Sequence, residues 1–118
     1  MNSSQGLNSC STESRFKDFL NKNDKLVIAF FTSPRSQRSL NFEPLVRVIA
    51  SQHPYLAFIK IDGDAVKKIS EKYNVTNYPT CILFKKEEAL QTVGSANRRD
   101  LMNLIGKAKE MAPPDAQA

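Results

Sequence analysis

Cysteine and histidine are scarce in this chain, and their scarcity removes whole classes of chemistry. Two cysteines, Cys10 and Cys81, do not make a disulfide framework. One histidine, His53, and two cysteines far apart in sequence cannot supply the usual four ligands of a zinc site. No metal and no cofactor is expected. No apolar run approaches the about 20 residues of a membrane-spanning helix, so no membrane partner is expected. The first ten residues have no basic start and no apolar centre, so no secretory signal is expected. A reducing compartment follows, the cytoplasm, with the nucleus as the alternative.

Charge of one sign is not concentrated either. Lys and Arg number 17 against 12 Asp and Glu, a net charge of +5. The basic residues are scattered, with only pairs such as Lys67-Lys68, Lys85-Lys86 and Arg98-Arg99. A solvated surface accounts for that pattern better than a nucleic-acid interface. A hydrophobic share of 41% and a charged share of 25% belong to an ordinary folded domain. At 118 residues the chain holds one domain with one core.

What the chain does contain is organised around residues 26–45. Six consecutive apolar residues, 26–31, suit a strand buried on both faces. A short polar loop follows, then a helix over 37–52 with Leu45, Val48 and Ile49 as its apolar stripe. Pro44 lies inside this helix and should kink it. Upstream, residues 7–10 form a short edge strand. Ser11 or Thr12 caps a first helix that carries Phe16, Phe19 and Leu20 on its inner side. Downstream come a strand over 56–61, a turn at Asp62-Gly63-Asp64 and a short third helix with Val66, Ile69 and Tyr73. A loop at Asn77-Tyr78-Pro79-Thr80 feeds a strand over 81–84. A hairpin turn over 85–88 leads to a return strand over 89–93, which Gly94 breaks or bulges. Asn97 and Asp100 resemble a capping box that opens a last helix with Leu101, Leu104, Ile105 and Ala108 on one face. Residues 1–6 and 112–118 are expected to be disordered, with the folded domain over 7–111. Strands joined through helices should be parallel, and the last two should form an antiparallel hairpin.

These marks, in this order, resemble the thioredoxin family. They are the apolar strand ahead of the loop, Pro44 in the second helix, the Asp-x-Asp turn at 62–64, Tyr78-Pro79-Thr80, and Val93-Gly94-Ser95-Ala96-Asn97. The resemblance covers residues 7–108 and looks nearest to the animal cytosolic members. It implies an α/β thioredoxin fold: a mixed five-stranded sheet, central strands parallel, a C-terminal antiparallel hairpin, and four helices on both faces. It implies that the Tyr78–Pro79 bond is cis. It also implies that the strands of Cys10 and Cys81 lie three places apart. At about 4.8 Å per step that is too far for a disulfide.

The departures from the family are concentrated at its reactive site. The family's motif is Trp-Cys-Gly-Pro-Cys, and counting from Pro44 this chain has Arg35-Ser36-Gln37-Arg38-Ser39. Serine replaces both cysteines, and Phe30 replaces the family's buried aspartate, leaving Lys60 without that partner. A hydroxyl can neither attack a disulfide nor resolve a mixed one. Hydrolysis by a serine would need a nearby base, and His53 falls at the far end of the second helix. Ser36 or Ser39 reads better as a helix cap. Cys81 reads as a small core residue and Cys10 as an exposed thiol. Arg35 and Arg38 beside a helix N-terminus offer an anion site, two solvated arginines being the plainer reading. Ser33-Pro34 with neighbouring arginines makes a kinase-type pattern that chance also produces.

The resemblance thus implies a redox-inactive module that keeps a peptide-binding groove lined by Arg35, Ser36, Gln37, Tyr78, Pro79 and Gly94. Its partner is a protein or peptide segment with an acidic residue beside an apolar one, met by Arg35 and by the Tyr78 ring. Two alternatives stand beside it: a thioredoxin oxidoreductase seen as a Cys-to-Ser variant, and a structural subunit of a larger assembly.

Overall fold

A computed structural model describes residues 6–111. The expectations for residues 1–5 and 112–118 lie outside the described residues. The order of elements is β1 (Leu7–Cys10), α1 (Glu13–Lys22), β2 (Val27–Thr32), α2 (Gln37–Gln52), β3 (Ala57–Asp62), α3 (Lys67–Lys72), β4 (Thr80–Lys85), β5 (Glu88–Val93) and α4 (Arg98–Met111). They build one mixed five-stranded sheet in the order β1-β3-β2-β4-β5.

All six residues of β2 are buried, and their alternation divides the core in two. Ile28 and Phe30 join Phe42, Val46, Ile49, Phe58, Leu83, Leu101 and Leu104 under α2 and α4. Val27, Ala29 and Phe31 join Phe16, Leu20, Ile61, Ile69, Ile82 and Phe84 under α1 and α3. The period-two alternation of a strand requires both layers once every side chain is apolar. On the α1 side Phe16 meets Phe84 edge-on at 5.5 Å between ring centres, a favoured aromatic geometry.

The sheet departs from the sequence expectation at β4. It is reached through a helix, yet it runs antiparallel to β2, whereas β1, β2 and β3 are mutually parallel. After the six-residue α3 the chain re-enters the sheet at the end where β3 finished. The same end holds the last residue of β2, since Phe31 pairs with Thr80 and Thr32 with Asp62.

Smaller corrections follow from packing. In α2 the buried side chains are Ser39, Phe42, Val46, Ile49 and Ala50. Val48 is 52% exposed, and Leu45 only leans on the core. The inward stripe counts from Phe42 at helical spacing, which carries Val48 to the outside. β5 ends at Val93, so Gly94 does break the strand, and a further irregularity falls within it at Leu90, between the pairs Leu83–Gln91 and Phe84–Ala89. Thr12 is the cap of α1 and accepts from Arg15 N–H. Asn97 Oδ1 accepts from Asp100 N–H at 3.3 Å, but the Asp100 carboxylate takes the Ser95 hydroxyl instead of returning the bond.

The register of α2 makes a direct test. Ile49→Ala should cost about 2–5 kcal/mol in urea unfolding, as a buried truncation does, while Val48→Ser should change stability by less than about 0.5 kcal/mol. Equal losses would put Val48 in the core.

Candidate functional site

The end of the sheet shared by β2, β3 and β4 gathers three loops. The first, over 33–36, is a turn in which Ser36 N–H donates to the Ser33 carbonyl at 3.0 Å. Ser33 is only 2% exposed, which removes it as an accessible modification site. Its hydroxyl donates to the Asp64 carboxylate and accepts from Arg35 N–H. The Arg35 guanidinium is 82% exposed, yet it is not free. It closes a two-pronged ion pair on Asp64, Nε to Oδ2 at 3.2 Å and Nη2 to Oδ1 at 3.1 Å. Hydrogen bonds from Arg35 and then Ser33 hold the Asp64 carboxyl below its ordinary value. The same contact raises Arg35. Asp64 is positioned in turn by Asp62, whose carboxylate accepts from the Asp64 N–H.

Ser36 is the N-cap of α2, with its Oγ accepting from Ser39 N–H at 3.2 Å. The same hydroxyl donates to the Tyr78 carbonyl at 3.1 Å, so one serine ties the helix start to the second loop. Gln37, next in the helix, donates its side-chain amide to Asn41. Ser39 is fully buried, and its hydroxyl has no partner among the described residues. It is not a cap. A buried hydroxyl without a bond is an unfavourable tenant.

The Tyr78–Pro79 peptide is cis. The Tyr78 ring does not lie free over the groove. It packs with the α1-side core, and its hydroxyl sits 3.3 Å from Ser70 Oγ. Gly63 makes this seat, because a Cβ there would collide with the ring. The Tyr78 N–H has no hydrogen-bond partner among the described residues. The third loop follows β5: Asn77 donates its side-chain amide to the Gly94 carbonyl at 2.9 Å, and Thr80 Oγ1 donates back to Asn77 O. Gly94 is exposed.

The titratable groups behind this site have a partner that the sequence does not mark. Phe30 is fully buried and meets Phe42 at 6.4 Å. Lys60 is not unpartnered, since its Nζ reaches Glu43 Oε2 at 3.2 Å. Burial opposes ionisation of Glu43, but hydrogen bonds from Arg47 and Lys60 outweigh it and hold the carboxyl below its ordinary value. That makes Glu43 a poor proton acceptor. Its role escaped the sequence reading because nothing marks which helical glutamate reaches a lysine on the sheet.

Cys81 is completely buried, and burial pushes its thiol up to about 12. Cys10 is half-buried rather than exposed, and burial raises it also, against a backbone hydrogen bond from Thr12 and the charge of Arg15. Both cysteines are free. His53 caps the far end of α2, its Nδ1 2.8 Å from Ile49 O. The helix of 16 residues sets it about 24 Å from Ser36, so no base serves either serine from there. Among the described residues no group of three or more His, Cys, Asp or Glu could hold a metal ion.

Sheet order, the cis-proline loop and its neighbouring helix start define a thioredoxin-fold domain. A family model described as Thioredoxin matches residues 8–107, and the chain belongs to the thioredoxin family. Thioredoxin H-type of Oryza sativa subsp. indica is 34% identical over 83 residues, covering 70% of this chain and 68% of that protein. Glutaredoxin-3 of Mus musculus is 26% identical over 92 residues, 77% of this chain but 27% of that protein. The chain thus spans about a quarter of the length of its glutaredoxin-3 relatives. Among solved structures, thioredoxin of Plasmodium falciparum superposes with a TM-score of 0.80 at 27% identity, over 85% of this chain and 97% of that one. The N21Q mutant thioredoxin of Halobacterium salinarum gives 0.81 at 26% identity, over 96% and 99%. The two cysteines of this chain are not a Cys-x-x-Cys pair.

Two measurements probe this geometry. Ser39→Ala and Ser39→Cys should each raise the unfolding free energy by about 1 kcal/mol by removing the orphaned hydroxyl; a loss in both would mean that Oγ is satisfied. Asp64→Asn should be less stable than the parent at pH 7. Because the folded Asp64 value lies below the unfolded one, its stabilisation is present above the ordinary carboxylate range, about pH 4, and is lost as pH falls through the folded value. The two stability curves should therefore converge below pH 4. A gap that persists to lower pH would assign the difference to something other than the Asp64 charge.

Proposed function

We propose that this domain is a redox-inactive binding module. Ser36 and Ser39 stand in the family's dithiol positions, and the groove beside them takes an extended peptide. The observation that carries the reading is the Tyr78 backbone. Its N–H has no partner among the described residues, Tyr78 precedes the cis-proline, and the Ser36 hydroxyl steadies its carbonyl. An open backbone amide next to a strand, here just ahead of β4, can draw affinity from main-chain hydrogen bonds, which need no thiol. A carbonyl oxygen has two lone pairs, so the Ser36 bond leaves room for one from a guest.

The inactivity follows from the site's chemistry. The thiol nearest in sequence, Cys81, is sealed in the sheet and held protonated, while thiolate is the reactive form. Phe30 supplies no proton acceptor, and Glu43 is occupied by two cations. The oxidoreductase alternative gains nothing from these surroundings.

Ser36→Cys/Ser39→Cys should reduce insulin disulfides only weakly. Adding Phe30→Asp should raise the rate, since a general base is commonly worth 10²–10⁴-fold, at some loss of stability from a carboxylate in an apolar site. Full thioredoxin-level turnover by the double variant would show that the surroundings have not decayed. The groove is tested with peptides selected from a displayed library. Gly94→Phe places a ring on an exposed loop where a Cβ meets only ordinary contacts. It should weaken the selected peptides at least about tenfold, roughly 1.4 kcal/mol, with little change in Tm. Undiminished binding would move the interface elsewhere and favour the structural-subunit reading.

A further inference from the structure

Three arginines open two helices at the groove without an anionic partner. Arg38 stands in the first turn of α2, which contains no acidic residue. Arg98 and Arg99 are the first residues of α4, where the single first-turn acid, Asp100, is engaged by the Ser95 hydroxyl at 2.6 Å. All three are exposed. None of their side chains makes a hydrogen bond or ion pair among the described residues. Arg35 and Arg47 differ in this respect, being held by Asp64 and Glu43. A helix N-terminus carries partial positive charge, so a cation there is disfavoured. The placement of these three works against folding, and an anion from outside would relieve it.

Their position relative to the groove is fixed by the sheet. α2 starts beside the Tyr78 carbonyl through the Ser36 bond. α4 starts after the Gly94 loop, which Asn77 ties to the other side of the same segment. The pairs Phe31–Thr80 and Cys81–Val93 put all of these ends on one edge of the domain. The Tyr78–Pro79 segment, half-buried at Tyr78 and buried at Pro79, therefore runs between one helix start that carries Arg38 and another that carries Arg98 and Arg99. Arg35, the residue that the sequence pointed to for charge recognition, is already neutralised by Asp64.

We propose that the groove selects an extended segment with acidic residues on both sides of the paired backbone, Arg38 meeting one side and Arg98 with Arg99 the other. The selection rests on the peptide-binding reading of the groove and adds the chemistry of the guest. Complementary charge of this kind contributes to specificity and encounter rate more than to raw affinity, and it is screened by salt over a Debye length of about 10 Å at 0.1 M.

The test uses the full chain and a library of nine-residue peptides in which one position at a time is fixed and the others are randomised. At 50 mM salt, Asp or Glu should be retained over Lys or Arg by about tenfold at positions flanking the centre, from three exposed pairs of modest strength each. At 500 mM salt the preference should fall to about twofold. Arg38→Gln/Arg98→Gln/Arg99→Gln should abolish the preference, keep its retention of uncharged peptides, and match or exceed the parent Tm. Equal retention of acidic and basic peptides, with backbone amides around Tyr78 still perturbed, overturns the charge proposal and leaves the groove. No retention of any peptide overturns both. An acid preference that survives in the triple variant overturns the assignment to these arginines. Tighter binding of an oligothymidine single strand than of the best acidic peptide overturns the proposal in favour of nucleic acid.

Discussion

No residue of β2 has more than slight contact with water, and a strand buried on both faces demands a helical layer on each. The rest of the domain follows from that demand. α2 and α4 close one face and α1 with α3 the other. A strand sealed this way can offer chemistry only where it ends, at Thr32. At that end β3 also finishes and β4 begins, so loops from β2, the cis-proline segment and β5 converge. The site is a by-product of covering β2.

Within that edge, side chains that resemble ligand-binding groups are engaged by the domain itself. The turn after β3 does most of this. Asp64 draws in Ser33 and Arg35, and Gly63 opens the seat that takes the Tyr78 ring away from the groove. Ser36 caps α2 and bridges to the Tyr78 carbonyl with one hydroxyl. What remains exposed beside these groups are the arginines of the two helix starts, Arg38, Arg98 and Arg99. Hydroxyls suit that architecture because they hold the loops by hydrogen bonds, while contributing no nucleophile for disulfide exchange. Ser39 is the exception. It is buried with no hydrogen-bond partner among the described residues, a misfit expected of a position shaped for a less polar group such as a thiol.

The residues that carried the sequence reading were those whose role is local. Six apolar residues in a row, Pro44 within a helical pattern, and Asp-Gly-Asp at a turn each declare their geometry, and with Tyr78-Pro79 they ordered the fold. The direction of β4 was not legible, because no local pattern says at which end the chain re-enters the sheet. The stripe of α2 was displaced because Leu45, Val48 and Ile49 fit a helical period as well as Phe42, Val46 and Ile49 do, and only packing chooses between them. The partners of Arg35, Lys60 and Tyr78 were invisible for a related reason. Asp64, Glu43 and Gly63 lie 15 to 29 positions away in the chain, and no local pattern links them. Arg35, to which the sequence assigned charge recognition, is held by Asp64, a partner that no local pattern announces.

Hydrogen exchange at a single amide tests the central claim that a backbone groove outlives the lost thiols. The Tyr78 N–H, which has no partner among the described residues, should exchange within a small factor of an open chain. With a groove-selected peptide at saturation it should be protected by about a hundredfold or more, as a strand hydrogen bond protects an amide that opens only locally. Protection at Tyr78 that is already present without peptide, or that fails to appear when the peptide is bound, would contradict the account.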